Sequence, residues 1–137
     1  MGECFRSESV KMTEDYGKRL ADELVSGSVI ALFGGMGMGK TALVRGIAAG
    51  LGLSAEVSSP TFALVHDYGG QPPLVHFDMY RVASWEDLYS TGFFDYLDAG
   101  AILVIEWSEN IENALPENAL RLRFSRLDET TRVIERE

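Results

Sequence analysis

Val29-Ile30-Ala31-Leu32-Phe33 runs directly into Gly34-Gly35-Met36-Gly37-Met38-Gly39-Lys40-Thr41, and the reading of the whole chain turns on this stretch. The first five residues are apolar and suit a strand. The next eight fit G-x-x-x-x-G-K-[ST], the phosphate-binding P-loop. The spacing has a chemical reason: glycines let backbone N–H groups turn inward around a β-phosphate, and a following helix adds the positive end of its dipole. Lys40 is expected to reach the β- and γ-phosphates, and the Thr41 hydroxyl to ligate Mg²⁺. The ligand class is therefore a nucleoside triphosphate with magnesium. Leu43, Ile47, Ala48 and Leu51 recur at helical spacing after the loop, and Gly50 with Gly52 supply a stop.

Working outward, residues 13–24 read as an opening helix, with Thr13 as N-cap, Tyr16, Leu20, Ala21 and Leu24 as the buried stripe, and Ser26-Gly27 as the end. Beyond the P-loop helix, Pro60 marks a turn before the run 62–65. Gly69-Gly70 and Pro72-Pro73 then separate that run from 74–78, which suggests a hairpin. A mostly helical segment interrupted by Gly92 follows. Residues 101–106 form an unbroken apolar run ending in Glu106, the pattern of a strand buried on both faces. The tail offers a strand at 119–124, a turn near Leu127-Asp128-Glu129, and a strand at 131–134. The expected fold class is α/β: a single P-loop NTPase-like domain over residues 1–137, with a mixed, partly antiparallel sheet flanked by helices.

At 137 residues and 46% hydrophobic, the chain can build a real core but not a P-loop core with a large lid or substrate domain as well. Accessory functions then fall to partners. The net charge of −9 opposes autonomous binding to nucleic acid phosphates. Arg121, Arg123 and Arg126 alternate with Leu120, Leu122 and Phe124, which reads as a strand with one solvated face. No run approaches the roughly 18 apolar residues of a membrane helix, and Glu3, Arg6 and Glu8 stand where a secretory signal would be apolar. A cytoplasmic location without membrane contact is expected, with Cys4 as a free thiol.

A P-loop needs a carboxylate for metal or water, usually at the end of an apolar strand. Asp78 and Glu106 both occupy such ends. Asp78, being shorter, suits Mg²⁺ directly or through water; Glu106 suits orientation or deprotonation of the attacking water. His76 shares a strand face with Asp78 and is expected to orient it, as a structural rather than catalytic group. Arg81 is expected to pair with Asp78 or Glu106, with a cis arginine finger as the alternative.

Taken together, the P-loop, Ser59-Pro60-Thr61-Phe62, His76-Phe77-Asp78-Met79-Tyr80-Arg81 and Ile105-Glu106-Trp107 resemble the TsaE (YjeE) family of bacterial ATPases in order and spacing. Thr13, Gly17 and Ala21 resemble that family's opening helix. The resemblance implies a small ATPase required for threonylcarbamoyl modification of the adenosine 3′ to the anticodon in tRNAs reading codons that begin with A. It implies binding to a TsaD–TsaB pair, which performs the transfer, with ATP hydrolysis resetting that pair between turnovers; tRNA is met only through the complex. Thr61 would lie in a switch-like loop near Mg²⁺ or the γ-phosphate, and Trp107 beside the nucleotide. The expected nucleotide-binding set is Gly34, Gly35, Met36, Gly37, Met38, Gly39, Lys40, Thr41, Ala42, Thr61 and Trp107. Lys40 and Glu106 are the expected catalytic residues, and Thr41, Asp78 and Glu106 the metal-directed ones, for the cofactors ATP and Mg²⁺. Gly35 and Met38 depart from the family's usual G-D-L-G-A-G-K-T without removing a backbone donor. Two other classes remain open: a small-molecule P-loop kinase, and a nucleotide-gated binding module with negligible hydrolysis.

Overall fold

The computed structural model describes residues 3–35, 39–53 and 65–137. The chain enters as β1 (Glu3–Ser7), followed by α1 (Val10–Ala21), β2 (Val29–Phe33) and α2 (Lys40–Gly50). A hairpin of β3 (Val65–Gly70) and β4 (Pro73–Asp78) leads to the short helices α3 (Trp85–Ser90) and α4 (Phe93–Asp98). Then come β5 (Ile102–Glu106), a 3₁₀ segment (Ser108–Ala114), β6 (Leu120–Arg126) and β7 (Arg132–Arg136).

The strands form one sheet in the order β1-β7-β6-β2-β5-β4-β3. The four inner strands β6, β2, β5 and β4 run parallel, while the pairs β3–β4, β6–β7 and β1–β7 are antiparallel. The sheet is thus mixed, with parallel strands at its centre and antiparallel pairs at both margins. β2 and β5 are buried at every position, as their unbroken apolar composition requires.

Alternation along the strands builds two cores. Ile30, Leu32, Leu74, Ile102 and Val104 pack against Leu20 of α1 and Leu43, Val44 and Ile47 of α2. On the other face, Val75, Phe77, Leu103 and Ile105 meet Leu88 of α3, Phe93 of α4 and Ile111 of the 3₁₀ segment. α1 and α2 approach so closely that a Cβ on Gly46 would collide with the carbonyl of Glu14, one on Gly17 with that of Leu43, and one on Gly50 with that of Lys18. This contact fixes where α2 begins, and with it Lys40.

Several local expectations change. The N-cap of α1 is Ser9, whose side chain accepts the Met12 N–H at 3.1 Å, not Thr13. Thr13 lies buried one turn in, its hydroxyl 2.6 Å from that of Ser7. The helix ends at Ala21, with three-residue turns carrying the chain through Glu23 and Leu24. β1 has no sequence counterpart above; it exists because Phe5 pairs with Ile134 across the sheet margin. The hairpin forms, but its first strand runs through His66, Asp67 and Tyr68 into Gly70, so the glycines end the strand and Gln71-Pro72 makes the link. Residues 62–64 lie outside the described residues. Cys4 is a free, exposed thiol, and no helix among the described residues is long and apolar enough to cross a membrane.

Candidate functional site

β2 delivers the chain to Gly34, whose φ of 122° and closeness to β6 both demand glycine: a Cβ would sit 2.6 Å from the Phe124 carbonyl. Gly35 is exposed, and Gly39 turns the chain at φ 90° into α2. No side chain caps α2 among the described residues, so its first-turn amides suit an anion. Lys40, the first residue of α2, is only 4% exposed, and its Nζ donates to the Gly34 carbonyl at 2.7 Å. Burial pushes its ammonium below the ordinary lysine range, while the carboxylates of Glu106, Glu109 and Asp78 pull it back up. Thr41 is half-buried and Ala42 buried in the same turn. Met36, Gly37, Met38 and Thr61 lie outside the described residues.

Asp78 and Glu106 are register partners on the parallel strands β4 and β5. Neighbouring strands lie about 4.8 Å apart, and both side chains leave the sheet on the α2 face, so the two acids stand side by side near Lys40. Asp78 accepts the Tyr80 N–H at 2.9 Å. Partial burial raises its pKa above the ordinary aspartate value; the Tyr80 N–H opposes this, and neighbouring Glu106 adds to it.

His76 is fully buried, and its Nε2 lies 2.6 Å from Oε2 of Glu106, which is 6% exposed. It therefore holds Glu106, not Asp78 as its position in the strand suggested. One residue, Phe77, separates His76 from Asp78 along β4, and Glu106 reaches the ring diagonally from β5. On the other side, the His76 Nδ1 is 3.4 Å from the Tyr68 hydroxyl, which is 3.2 Å from Nδ1 of His66. Arg81 departs from expectation as well. It is exposed, and among the described residues no ion pair joins it to Asp78 or Glu106.

Trp107 follows Glu106 in the left-handed region, φ 59° and ψ 42°, a conformation that costs a bulky residue energy and is concentrated at functional sites. Its ring lies 5.2 Å from the Lys40 Nζ and 4.9 Å from the ring of Tyr80. Asn110 donates to the carbonyls of Met79 and Tyr80 at 2.8 and 3.1 Å, tying the turn after β4 to the 3₁₀ segment. Glu109 accepts the Gly34 N–H at 3.1 Å. Sequence reasoning missed both Glu109 and Asn110. Neither stands at a strand end, and only the reversal at Trp107 brings them back over the loop.

Among the described residues no three His, Cys, Asp or Glu side chains could hold a metal alone. Magnesium binds one or two carboxylates together with nucleotide phosphates rather than a protein cage. The hard oxygen donors of Asp78, Glu106 and Thr41 beside an anion-binding helix start fit the ion.

Comparison with known proteins gives the arrangement a lineage. The family model "Threonylcarbamoyl adenosine biosynthesis protein TsaE" matches residues 7–134. The chain is 38% identical over 128 residues to the "tRNA threonylcarbamoyladenosine biosynthesis protein TsaE" of Treponema pallidum, covering 93% of this chain and 95% of that one. It is 41% identical over 115 residues to the protein so named from Streptomyces coelicolor, covering 82% and 78%. Among solved structures, that of YdiB from Bacillus subtilis superposes with a TM-score of 0.84 at 28% identity, covering 99% of this chain and 84% of that one. With a family model matched over residues 7–134 and relatives of this identity and coverage, this chain is a member of the TsaE family.

Proposed function

We propose that this protein binds and hydrolyses ATP with Mg²⁺ in the pathway its relatives are named for, tRNA threonylcarbamoyladenosine biosynthesis. In this reading it is a single P-loop ATPase domain that acts on a TsaD–TsaB complex and does not transfer the threonylcarbamoyl group itself. tRNAs reading codons that begin with A are met through that complex. The observation that carries the ATPase assignment is the placement of Lys40, Asp78 and Glu106 around one helix start, with Glu106 gripped by buried His76.

Lys40 leaves the Gly34 carbonyl to neutralise the β- and γ-phosphates, and the α2 amides take the remaining phosphate oxygens. Magnesium, when bound, neutralises developing charge on the phosphates. Asp78 and Thr41 would hold it, with Glu106 beside them. Glu106 has one oxygen committed to His76, which leaves the other to orient or deprotonate a water. With Glu106 ionised, His76 donates through Nε2, and its Nδ1 is then an acceptor for the Tyr68 hydroxyl. Trp107 screens Lys40 from solvent.

Incubation with γ-labelled ATP, with and without TsaD–TsaB homologues, tests this reading. Free phosphate as product and nucleotide-dependent association with the complex are expected. Label on a small acceptor would make the protein a kinase. Tight binding without phosphate release, even with partners, would make it a nucleotide-gated binding module.

A further inference from the structure

Residues 82–120 contain eight acidic residues and no lysine, arginine or histidine, so this stretch accounts for all but one of the chain's net −9. The fold gathers much of that charge on one side. α3, α4 and the 3₁₀ segment cover the sheet face opposite α1 and α2. Two large aromatics stand out from this surface, Trp85 at 55% and Tyr89 at 65% exposure, both braced on Phe94. Between α3 and the 3₁₀ segment lies a groove of about 290 Å³, floored by Val82, Leu88 and Ile111 and flanked by Trp85, Glu109 and Glu112.

We propose that this groove is the docking surface for a protein partner that inserts a basic segment, with an arginine or lysine laid on Trp85 and paired to Glu112. An apolar floor with an exposed tryptophan supplies the anchor, since such aromatics dominate binding energy when desolvated. Exposed Glu112, on a stretch that carries no lysine or arginine of its own, selects a positive partner and steers it in. The same charge repels nucleic acid phosphates and anionic lipid surfaces. A second copy placed symmetrically would set acid against acid. The groove also touches the nucleotide site: Glu109, in its wall, holds the Gly34 N–H at the start of the P-loop. A cation drawn to Glu109 competes for that carboxylate, so docking and the loop are linked.

This inference rests on the reading that the protein works on a TsaD–TsaB complex, and that complex is the probe. Binding is measured by interferometry with Mg-ATP for the wild type, Trp85→Ala, Glu112→Lys, and the charge-matched control Glu135→Lys on an exposed site away from the groove. Thermal melts and ATP titrations confirm that each variant folds and binds nucleotide as the wild type does. The expected result is a loss of at least about tenfold in affinity for the two groove variants, none for the control, and wild-type binding that weakens with salt. Wild-type affinity in both groove variants, or an equal loss in the control, would overturn the docking surface while leaving the partner reading intact. No binding by the wild type would sink the partner reading and this inference with it.

Discussion

Nε2 of His76 and Oε2 of Glu106 lie 2.6 Å apart in a pocket closed to solvent on the histidine side, joining the middle of β4 to the end of β5. A carboxylate is free to rotate about its side-chain bonds unless something holds it, and here a ring anchored in the strand does so. Asp78, its register neighbour, has no such grip and takes a backbone N–H instead.

Replacing His76 with alanine should therefore affect turnover more than binding. We expect kcat for ATP hydrolysis to fall about 10–100-fold, the usual range when a group that orients an active carboxylate is lost. The ATP dissociation constant should change little, and His76→Gln, which keeps an N–H donor, should restore part of the rate. Single-turnover assays beside nucleotide titrations separate the two quantities. Equal loss of binding and rate would mean that His76 supports the fold rather than Glu106.

Lys40 shows the cost of a functional charge. Burial disfavours its ammonium, so the folded protein gives up stability to keep a cation at the start of α2, where the proposed function needs one for phosphate. Lys40→Met retains the apolar stem and removes the charge. The expected outcome is a Tm without nucleotide that is equal to or above the wild type's, together with loss of the stabilisation that Mg-ATP confers. Affinity should drop by about 1.5–3 kcal/mol, the worth of a charge-assisted contact. A lower Tm without nucleotide would show that the bond to the Gly34 carbonyl outweighs the burial cost.

The strands β2, β4 and β5 and the acids at their ends could be read from sequence because local signals specify them: apolar runs closed by a charge, and a loop with a fixed glycine pattern. The grip of His76 on Glu106 could not. It depends on the register between β4 and β5, which have 23 residues between them in the chain (79 to 101) and meet only through long-range pairing. β1 was illegible for a related reason. A five-residue strand with Phe5 as its one large apolar residue has no periodicity of its own, and its pairing with β7 at the far end of the chain defines it. Thr13 drew the N-cap because it can cap; Ser9 can too, and the strand ending at Ser7 decides between them. Trp107 could be placed beside the site, but its left-handed backbone, and hence the return of Glu109 and Asn110, has no signature in a residue type that normally avoids that region.

Gly46 offers a test of how helix packing sets the site. A methyl group there would run into the Glu14 carbonyl, a backbone atom that cannot swing aside. Gly46→Ala should destabilise the protein by about 1–3 kcal/mol, as overpacking does, despite alanine's better helix propensity. Because α1 and α2 must separate, Lys40 shifts too, and ATP affinity should weaken at temperatures where the variant is still folded. Urea unfolding with ATP titration at low temperature reads both. Wild-type stability would show that the two helices slide without cost.

The two carboxylates differ in chemistry more than in position, which allows their roles to be separated. Glu106→Gln keeps size and can still bond His76 but removes the base, so hydrolysis should fall about 10²–10⁴-fold while ATP stays bound. Asp78→Asn should instead raise the magnesium concentration needed for activity, because a neutral amide is a poorer partner for a hard cation. Hydrolysis measured across a magnesium series, with TsaD–TsaB homologues present, reports both variants. If Glu106→Gln shifted the magnesium requirement and Asp78→Asn only stopped turnover, the roles would have to be exchanged, and the hydrogen bond from His76 would then position a metal ligand instead of a base.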